Sequence, residues 1–134
     1  MKKTLTIIIG LPGSGKSHIM KKFEDHIIFD DFIGSFYDGK LIKALLQNNK
    51  VCISDPRMCL SDIFNRFINK ILKYIKKSEI YLILFENDPE QCLKNIKYRH
   101  DGKQSIEETI KNYSKYYDLN NYKKFEHEIV SVFK

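Results

Sequence analysis

A short glycine-rich stretch near the amino end of the chain has the clearest chemistry. Residues 10–17 read Gly-Leu-Pro-Gly-Ser-Gly-Lys-Ser and directly follow the apolar run Leu5–Ile9. They fit the pattern G-x-x-x-x-G-K-[ST], with an apolar run before it and a helix-compatible segment after it, the context in which that pattern binds phosphate. Glycine lets the backbone wrap closely around an anion, so that successive N–H groups point at it. We therefore expect this stretch to hold the phosphate chain of a nucleoside triphosphate.

The last two residues of the stretch carry side chains suited to particular parts of a nucleotide. The Lys16 ammonium would reach the β- and γ-phosphates, and the Ser17 hydroxyl would bind Mg²⁺. A turn that only joins a strand to a helix is the alternative, and the complete flanking context disfavours it. The expected nucleotide-binding residues are Gly10, Leu11, Pro12, Gly13, Ser14, Gly15, Lys16 and Ser17.

Acidic residues end two further short apolar runs. Asp30 and Asp31 follow the run 26–29, and Asp55 ends the run that starts at residue 50. Because ligands of open parallel sheets bind beyond the carboxyl ends of the strands, these acids are placed to face a phosphate, a metal or an acceptor. Asp55 is a candidate to hold Mg²⁺ or a water in its shell. For Asp30 and Asp31 a solvated turn is the alternative, since aspartate is common in turns.

Two arginines complete the candidates. Arg57 follows the third apolar run, and pairing with a neighbouring acid is favoured there over contact with a phosphate. Arg99 lies in the segment from about residue 93 to 108, where two helix-compatible stretches are separated by polar residues. A mobile lid would sit there, and a lid usually supplies a cation to the transferring phosphoryl group. Arg99 is the best candidate for that cation, with a helix-surface arginine as the alternative.

The elements that must position these residues alternate along the chain. Apolar runs predict strands over 5–9, 26–29, 50–55, 80–85 and 128–133. Helical periodicity predicts helices over 17–24, 40–46, 63–77, 89–99 and 105–117, with Ser61-Asp62 and Ser105 as expected caps. Strands interleaved with helices predict an α/β three-layer sandwich with a parallel sheet, as a single domain over residues 1–134.

Composition bears on partners and compartment. The net charge of +6 favours polyanionic partners, nucleic acid among them, although lysines scattered over helix faces would give the same total. The three cysteines have neither zinc-site spacing nor the density of a disulfide scaffold, so we expect free thiols in a reducing cytosol. No apolar segment is long enough to cross a membrane. We expect a cytoplasmic protein without a membrane partner.

Together these motifs resemble the small P-loop kinases, most of all the polynucleotide kinase type that phosphorylates 5′-hydroxyl groups. The resemblance is carried by residues 10–17, Asp30-Asp31-Phe32, Ile53-Ser54-Asp55 and residues 87–99. It implies a strand order of 2-3-1-4-5 and transfer of the γ-phosphoryl group of ATP to a hydroxyl. It also implies that Asp30 is the general base and that Lys16 and Arg99 stabilise the phosphoryl group in transit. Ser17 would hold Mg²⁺ with help from Asp55.

The identity of the acceptor stays open. The acceptor site of that family carries an arginine shortly after the acidic pair, whereas residues 33–35 here are Ile-Gly-Ser. Three functions are therefore considered: a kinase of nucleic-acid 5′-hydroxyls, a kinase of a nucleotide, nucleoside or small metabolite, and a nucleotide-binding module without turnover. The loop, the strand-end acids and the lid cation could form a complete transfer site, which favours a kinase.

Overall fold

The computed structural model describes residues 3–30, 39–97 and 104–134. Within these ranges the chain forms five strands: β1 (Leu5–Ile9), β2 (Ile27–Asp30), β3 (Val51–Ser54), β4 (Ile80–Phe85) and β5 (Glu126–Val130). The α-helices in the same ranges are α1 (Lys16–Met20), α2 (Lys40–Leu46), α3 (Ser61–Ile71), α4 (Pro89–Lys97) and α5 (Gln104–Ser114). Short 3₁₀ turns occupy Pro56–Cys59, Lys77–Glu79 and Leu119–Tyr122. The candidates Asp31 and Arg99 lie outside the described residues.

The five strands form one parallel sheet in the order β2-β3-β1-β4-β5. This confirms the α/β class, the parallel sheet and the strand order 2-3-1-4-5. All five residues of the central strand β1 are buried. Because successive side chains of a strand point to opposite faces, both faces of the sheet are covered at its centre. The apolar run Ile80–Phe85 is the neighbouring strand β4, with the bounds that its sequence predicts.

The two edge strands differ from their predicted bounds. β2 starts at Ile27 and ends at Asp30, so that this carboxylate belongs to the last residue of the strand. β5 spans Glu126–Val130 instead of residues 128–133. Its first residues are Glu, His and Glu, which pair with β4 through the backbone while three of the five side chains are exposed. The exposed positions of an edge strand need not be apolar. The search for apolar alternation therefore predicted the start of this strand two residues too late in the chain.

Several helix boundaries differ from the predicted ones. α1 ends at Met20 instead of residue 24, α3 ends at Ile71 instead of residue 77, and α5 ends at Ser114 instead of residue 117. The expected cap at Ser61 is wrong, since Leu60 occupies the cap position with no side-chain hydrogen bond. The expected cap at Ser105 is wrong as well, because α5 already begins one residue earlier. No helix in the described ranges is long and apolar enough to cross a membrane.

Two buried tyrosines join the turns and loops to the ends of the strands. Tyr122 is fully buried and donates its phenolic hydrogen bond to the carbonyl of Met58, at 2.5 Å. The Tyr117 phenol donates to the carbonyl of Phe85 at 2.5 Å and lies 3.3 Å from that of Ile9. Burial raises the pKa of both phenols above the ordinary tyrosine value, so both remain neutral donors. These bonds satisfy carbonyls that would otherwise be buried without a partner.

Tyr122→Phe should lower the free energy of unfolding by about 1–3 kcal/mol, because it leaves the buried Met58 carbonyl without its donor. Urea titration followed by circular dichroism measures the change. Tyr116→Phe is the matched control, since Tyr116 is 66% exposed and its loss of a hydroxyl should leave the unfolding midpoint unchanged. Equal midpoints for the two variants would contradict a structural role for the Tyr122 hydrogen bond.

Candidate functional site

The loop between β1 and α1 has a shape that only glycine permits at two positions. Gly13 and Gly15 have φ angles of +83° and +106°, in the left-handed region. A Cβ at Gly13 would lie 2.7 Å from the carbonyl oxygen of Cys92 in α4. One at Gly15 would lie 2.7 Å from the Cβ of Phe133, in the segment after β5. The loop is therefore held between α4 and the segment that follows β5, with no room for larger residues at these points.

Lys16, the first residue of α1, folds back onto the loop that precedes it. Its ammonium donates hydrogen bonds to the carbonyl oxygens of Gly10 at 2.8 Å and Leu11 at 2.7 Å. The hydroxyl of Ser14 is 3.4 Å away. Lys16 is only 9% exposed, so that a buried positive charge sits inside the loop and is stabilised by carbonyl dipoles. A phosphate oxygen could take the place of these carbonyls as the partner of the ammonium.

Several backbone donors of the loop have no protein acceptor. Among the hydrogen bonds between described residues, none is donated by the N–H groups of Gly13, Gly15 or Ser17. The Ser17 side chain is exposed at the start of α1. Backbone N–H groups without protein acceptors beside a lysine ammonium are groups that an anion could contact.

An amide side chain that sequence reasoning did not select fixes the loop from outside. Asn95 of α4 donates from Nδ2 to the carbonyl of Gly13 at 2.8 Å and to that of Phe133 at 2.5 Å. Gln91, one turn earlier, donates to Asn95 Oδ1 at 2.9 Å and so holds the amide in this orientation. The only sequence signal is the four-residue spacing of two amides on α4, which indicates a shared helix face but not its neighbours.

A cleft of about 360 Å³ lies beside the loop. One wall is the aromatic ring of Phe133, which is 52% exposed and lies 4.8 Å from the ring of His18 between centroids. The opposite wall belongs to α4 and carries the exposed Lys94. The lining residues are Gly13, Gly15, Gln91, Lys94, Asn95, Phe133 and Lys134. An aromatic face, amide groups and an ammonium are the groups that a planar, polar ring could contact in this cleft.

The carboxylate of Asp30 lies at the same edge of the sheet as the loop. In the sheet register Asp30 pairs with Ser54, which in turn pairs with Ile8. The three residues form one row, and two strand spacings put the Cα atoms of Asp30 and Ile8 about 10 Å apart. Among the described residues the Ser54 hydroxyl is fully buried and has no hydrogen-bond partner. Asp30 itself is exposed.

Asp55 is fully buried directly after β3 and is paired with Arg57. The guanidinium donates from Nε to Oδ1 at 2.8 Å and from Nη2 to Oδ2 at 2.6 Å, and the backbone N–H of Arg57 also donates to Oδ1, at 2.9 Å. This confirms the favoured prediction that Arg57 pairs with a neighbouring acid. A carboxylate has about four lone-pair positions, so Asp55 keeps capacity for one further donor. That donor could be a metal-bound water.

All three cysteines are free, as the sequence predicts, and the structure shows that all three are buried. Burial raises the pKa of Cys52 and Cys59 to about 12 and that of Cys92 to about 11. The Lys16 ammonium opposes part of the rise for Cys59 and Cys92, which shows that both thiols lie near the loop lysine. The thiols therefore stay protonated and pack as small apolar groups. Among the described residues no three His, Cys, Asp or Glu side chains are arranged to hold a metal.

The structure brings most of the predicted site residues to one edge of the sheet. The loop of residues 10–17 follows the end of β1, Asp30 ends β2, and Asp55 follows β3. Asp31 and Arg99 cannot be added to this site, because both are outside the described ranges. Asn95 and Phe133 are the additions that come from the structure alone.

No protein-family model matches the chain. The sequence is similar to "Uncharacterized protein R277" of Acanthamoeba polyphaga mimivirus, with 46% identity over 138 residues. The alignment covers 100% of both chains. Identity at this level over the full length of both proteins shows that the chain belongs to the same family as this mimivirus protein.

Proposed function

We propose that the protein is a P-loop kinase that transfers the γ-phosphoryl group of ATP to a hydroxyl acceptor. The observation that carries the proposal is the loop of residues 10–17. Its Lys16 ammonium is buried among carbonyls, and three of its backbone N–H groups have no acceptor in the described ranges of the chain. A concavity with these donors attracts a phosphate chain. The acids at the ends of the two neighbouring strands then supply the remaining chemistry.

Phosphate binding would exchange the partners of Lys16. When the β- and γ-phosphates enter the loop, the ammonium leaves the carbonyls of Gly10 and Leu11 and pairs with phosphate oxygens. The N–H groups of Gly13, Gly15 and Ser17 donate to the same chain. Because the donors are already in place, little reorganisation is needed at the moment of binding.

Mg²⁺ fits the residues at the start of α1. The exposed Ser17 hydroxyl would bind the ion together with phosphate oxygens, and Asp55 would accept a hydrogen bond from a metal-bound water. Direct ligation by Asp55 is disfavoured, since Arg57 occupies two positions on Oδ1 and one on Oδ2. When bound, the ion would neutralise charge on the transferring phosphoryl group.

Transfer would use Asp30 as the general base. The acceptor hydroxyl gives its proton to the Asp30 carboxylate while its oxygen forms a bond to the γ-phosphorus, and the bond from that phosphorus to the oxygen of ADP breaks. The spacing of about 10 Å between the ends of β2 and β1 leaves room for the hydroxyl and the phosphoryl group in line. The buried Ser54 hydroxyl between them could donate to an oxygen in this crevice. We keep Arg99 as the proposed lid cation.

The cleft beside the loop is the proposed site of the nucleotide base. The exposed ring of Phe133 offers a stacking surface, and the cleft opens next to the phosphate cradle at Gly13 and Gly15. Stacking on an aromatic face stabilises a base by about 1–3 kcal/mol. Gln91 still has a carbonyl oxygen to accept a hydrogen bond from an amino group on the base, since only its amide nitrogen is bonded to Asn95.

The acceptor is proposed to be the 5′-hydroxyl of a nucleic acid or the hydroxyl of a small molecule such as a nucleoside. The resemblance to polynucleotide kinases supports the first, and the absence of their acceptor-site arginine from residues 33–35 supports the second. Free, buried thiols suit the reducing cytoplasm, which we propose as the compartment.

Lys16→Ala should weaken ATP binding about 10- to 100-fold, the loss expected for charge-assisted hydrogen bonds to phosphate. Isothermal titration calorimetry with ATP and Mg²⁺ measures the affinity. The matched control is Lys21→Ala, because Lys21 is exposed just after α1 and should leave the affinity unchanged. Full ATP affinity in the Lys16→Ala protein would overturn the central premise.

Asp30→Asn should reduce transfer about 10²- to 10⁴-fold while ATP affinity stays within twofold, because the amide keeps the shape but cannot accept the proton. Transfer of label from γ-labelled ATP is followed on 5′-hydroxyl oligonucleotides and on a panel of nucleosides and nucleotides. Asp25→Asn, at the other end of β2, is the control and should retain activity. Label on small molecules alone would exclude the polynucleotide acceptor, and no label on any acceptor from the unaltered protein would favour a binding module.

Phe133→Ala should weaken ATP binding at least about fivefold and leave binding of inorganic tripolyphosphate unchanged, because only ATP carries a base to stack. Fluorescence competition with both ligands separates the two parts of the site. Phe133→Tyr keeps an aromatic ring and should bind ATP normally. If Phe133→Ala weakens both ligands equally, the residue acts by shaping the loop at Gly15 and the base site lies elsewhere.

A further inference from the structure

Two short segments of the chain are rich in lysine. Four lysines lie within Lys70–Lys77 and two at Lys123 and Lys124, and all six are exposed. We call these six the lysine patch: Lys70, Lys73, Lys76, Lys77, Lys123 and Lys124.

The fold brings the two segments together around one aromatic ring. The Lys77 Nζ lies 5.3 Å from the centre of the Phe125 ring, and the Lys124 Nζ lies 5.9 Å from it. Phe125 is buried and packs edge-on against Phe64 of α3. Lysines separated by almost 50 positions in the chain therefore form one surface on a rigid support.

Glu79 and Glu126 are the acidic residues next to these lysines in the chain, and neither forms an ion pair with Lys73, Lys76, Lys77, Lys123 or Lys124 in the described ranges. These five lysines form no ion pair with any other described acid either. The nearby Glu126 is already paired with Lys3, at 2.8 Å. Lys3 also donates to the carbonyl of Ser78 at 2.7 Å, which fixes it at this end of the sheet. Most of the charge of the patch is thus available to an outside anion.

Two exposed apolar side chains lie among the lysines. Tyr74 is 48% exposed and Leu72 is 40% exposed. The apolar face of α3, including Phe64, Phe67 and Ile71, is buried in the core and unavailable to a lipid surface. A membrane would need a continuous apolar face, whereas a nucleic-acid strand needs spaced cations and an aromatic ring on which a base can stack.

We propose that the lysine patch binds single-stranded nucleic acid at a site separate from the phosphate loop. The segment from Lys70 leads into the first residue of β4, and Lys123–Phe125 leads into the first residue of β5. The patch therefore lies at the amino ends of the strands, while the loop lies beyond their carboxyl ends. A strand of five or six residues puts about 17–20 Å between the two sites. The phosphates of a bound strand contact the lysines, and a base stacks on Tyr74.

The test is the salt dependence of binding to a 3′-fluorescein-labelled deoxythymidine 20-mer, measured by anisotropy without ATP or Mg²⁺. The triple variant Lys73→Glu, Lys76→Glu, Lys124→Glu should bind at least tenfold more weakly at 50 mM salt. Its log–log salt slope should be smaller by about 2, since each phosphate contact on a single strand contributes about 0.7. The corresponding triple Lys→Arg variant should retain both the affinity and the slope.

The matched control changes the same net charge elsewhere. The control is the triple variant Lys40→Glu, Lys111→Glu, Lys115→Glu. Its three lysines are exposed and lie in α2, in α5 and directly after α5, and it should bind the oligonucleotide within threefold of the unaltered protein. Equal losses in the two glutamate variants would overturn the proposal in favour of diffuse attraction. Loss in the control alone, or absence of salt-dependent binding by the unaltered protein, would also overturn it. The proposal would also be overturned if the unaltered protein sedimented with phosphatidylserine vesicles but did not bind the oligonucleotide.

Substitutions of Tyr74 test the same proposed site independently of the lysines. Tyr74→Ala should weaken oligonucleotide binding at least about fivefold with an unchanged salt slope, and Tyr74→Phe should bind normally, because stacking needs the ring and not the hydroxyl. An unchanged affinity for Tyr74→Ala would overturn the stacking contact. The Lys16→Ala protein should bind the oligonucleotide as the unaltered protein does, because Lys16 is not part of the lysine patch. The two proposals can therefore fail independently of each other.

Discussion

The parallel alignment of five strands around β1 is the constraint on which the site depends. β1 is buried on both faces and paired on both sides, and the loop of residues 10–15 follows directly at its carboxyl end. Parallel strands must be joined by crossover connections, which bring every carboxyl end to the same edge of the sheet. Asp30 and Asp55 therefore lie at the same edge of the sheet as the loop. The sheet topology alone puts them there, and no direct contact with the loop is needed. A shift of β2 by one residue would turn the Asp30 carboxylate to the other face.

The shape of the loop depends on residues far along the chain. Asn95 contacts the carbonyl of Gly13 across 82 positions, and Phe133 packs against Gly15. The same amide bonds to both Gly13 and Phe133, so that the loop, α4 and the segment after β5 hold one another in place. The packing position of α4 therefore sets the position of Gly13 through Asn95.

The parts of the site that could be predicted from sequence are those set by local chemistry. The glycine spacing and Lys16 are a local requirement of a tight loop, and Arg57 pairs with Asp55 because a two-residue separation across a turn makes the contact easy. Asn95 and Phe133 could not be predicted, because their partners are chosen by the tertiary fold. The polar edge strand β5 was misplaced for a similar reason, since backbone pairing with β4 outweighs its lack of apolar alternation.

Local capping rules failed where packing decides the helix start. α3 begins after Leu60, whose N–H bonds to the carbonyl of Arg57 in the preceding 3₁₀ turn. Ser61 is therefore drawn into the helix, and its hydroxyl is not used as a cap. The turn itself is fixed by the hydrogen bond from Tyr122 to Met58, so the start of α3 follows from tertiary contacts. A capping preference of about 1 kcal/mol is too small to override such a support.

Two charged side chains are buried at one end of the sheet, and the lysine patch is exposed at the other. At the carboxyl edge Lys16 and Asp55 are buried, and each must be held by partners because an isolated charge there is costly to desolvate. At the amino edge the lysines around Phe125 stay in water and attract only mobile counterions. A polyanion gains affinity by releasing those counterions, whereas a compact phosphate ligand gains it from preorganised donors in a dry site. An exposed lysine surface is therefore suited to extended, salt-sensitive binding, and a buried lysine in a rigid loop to binding that depends on geometry.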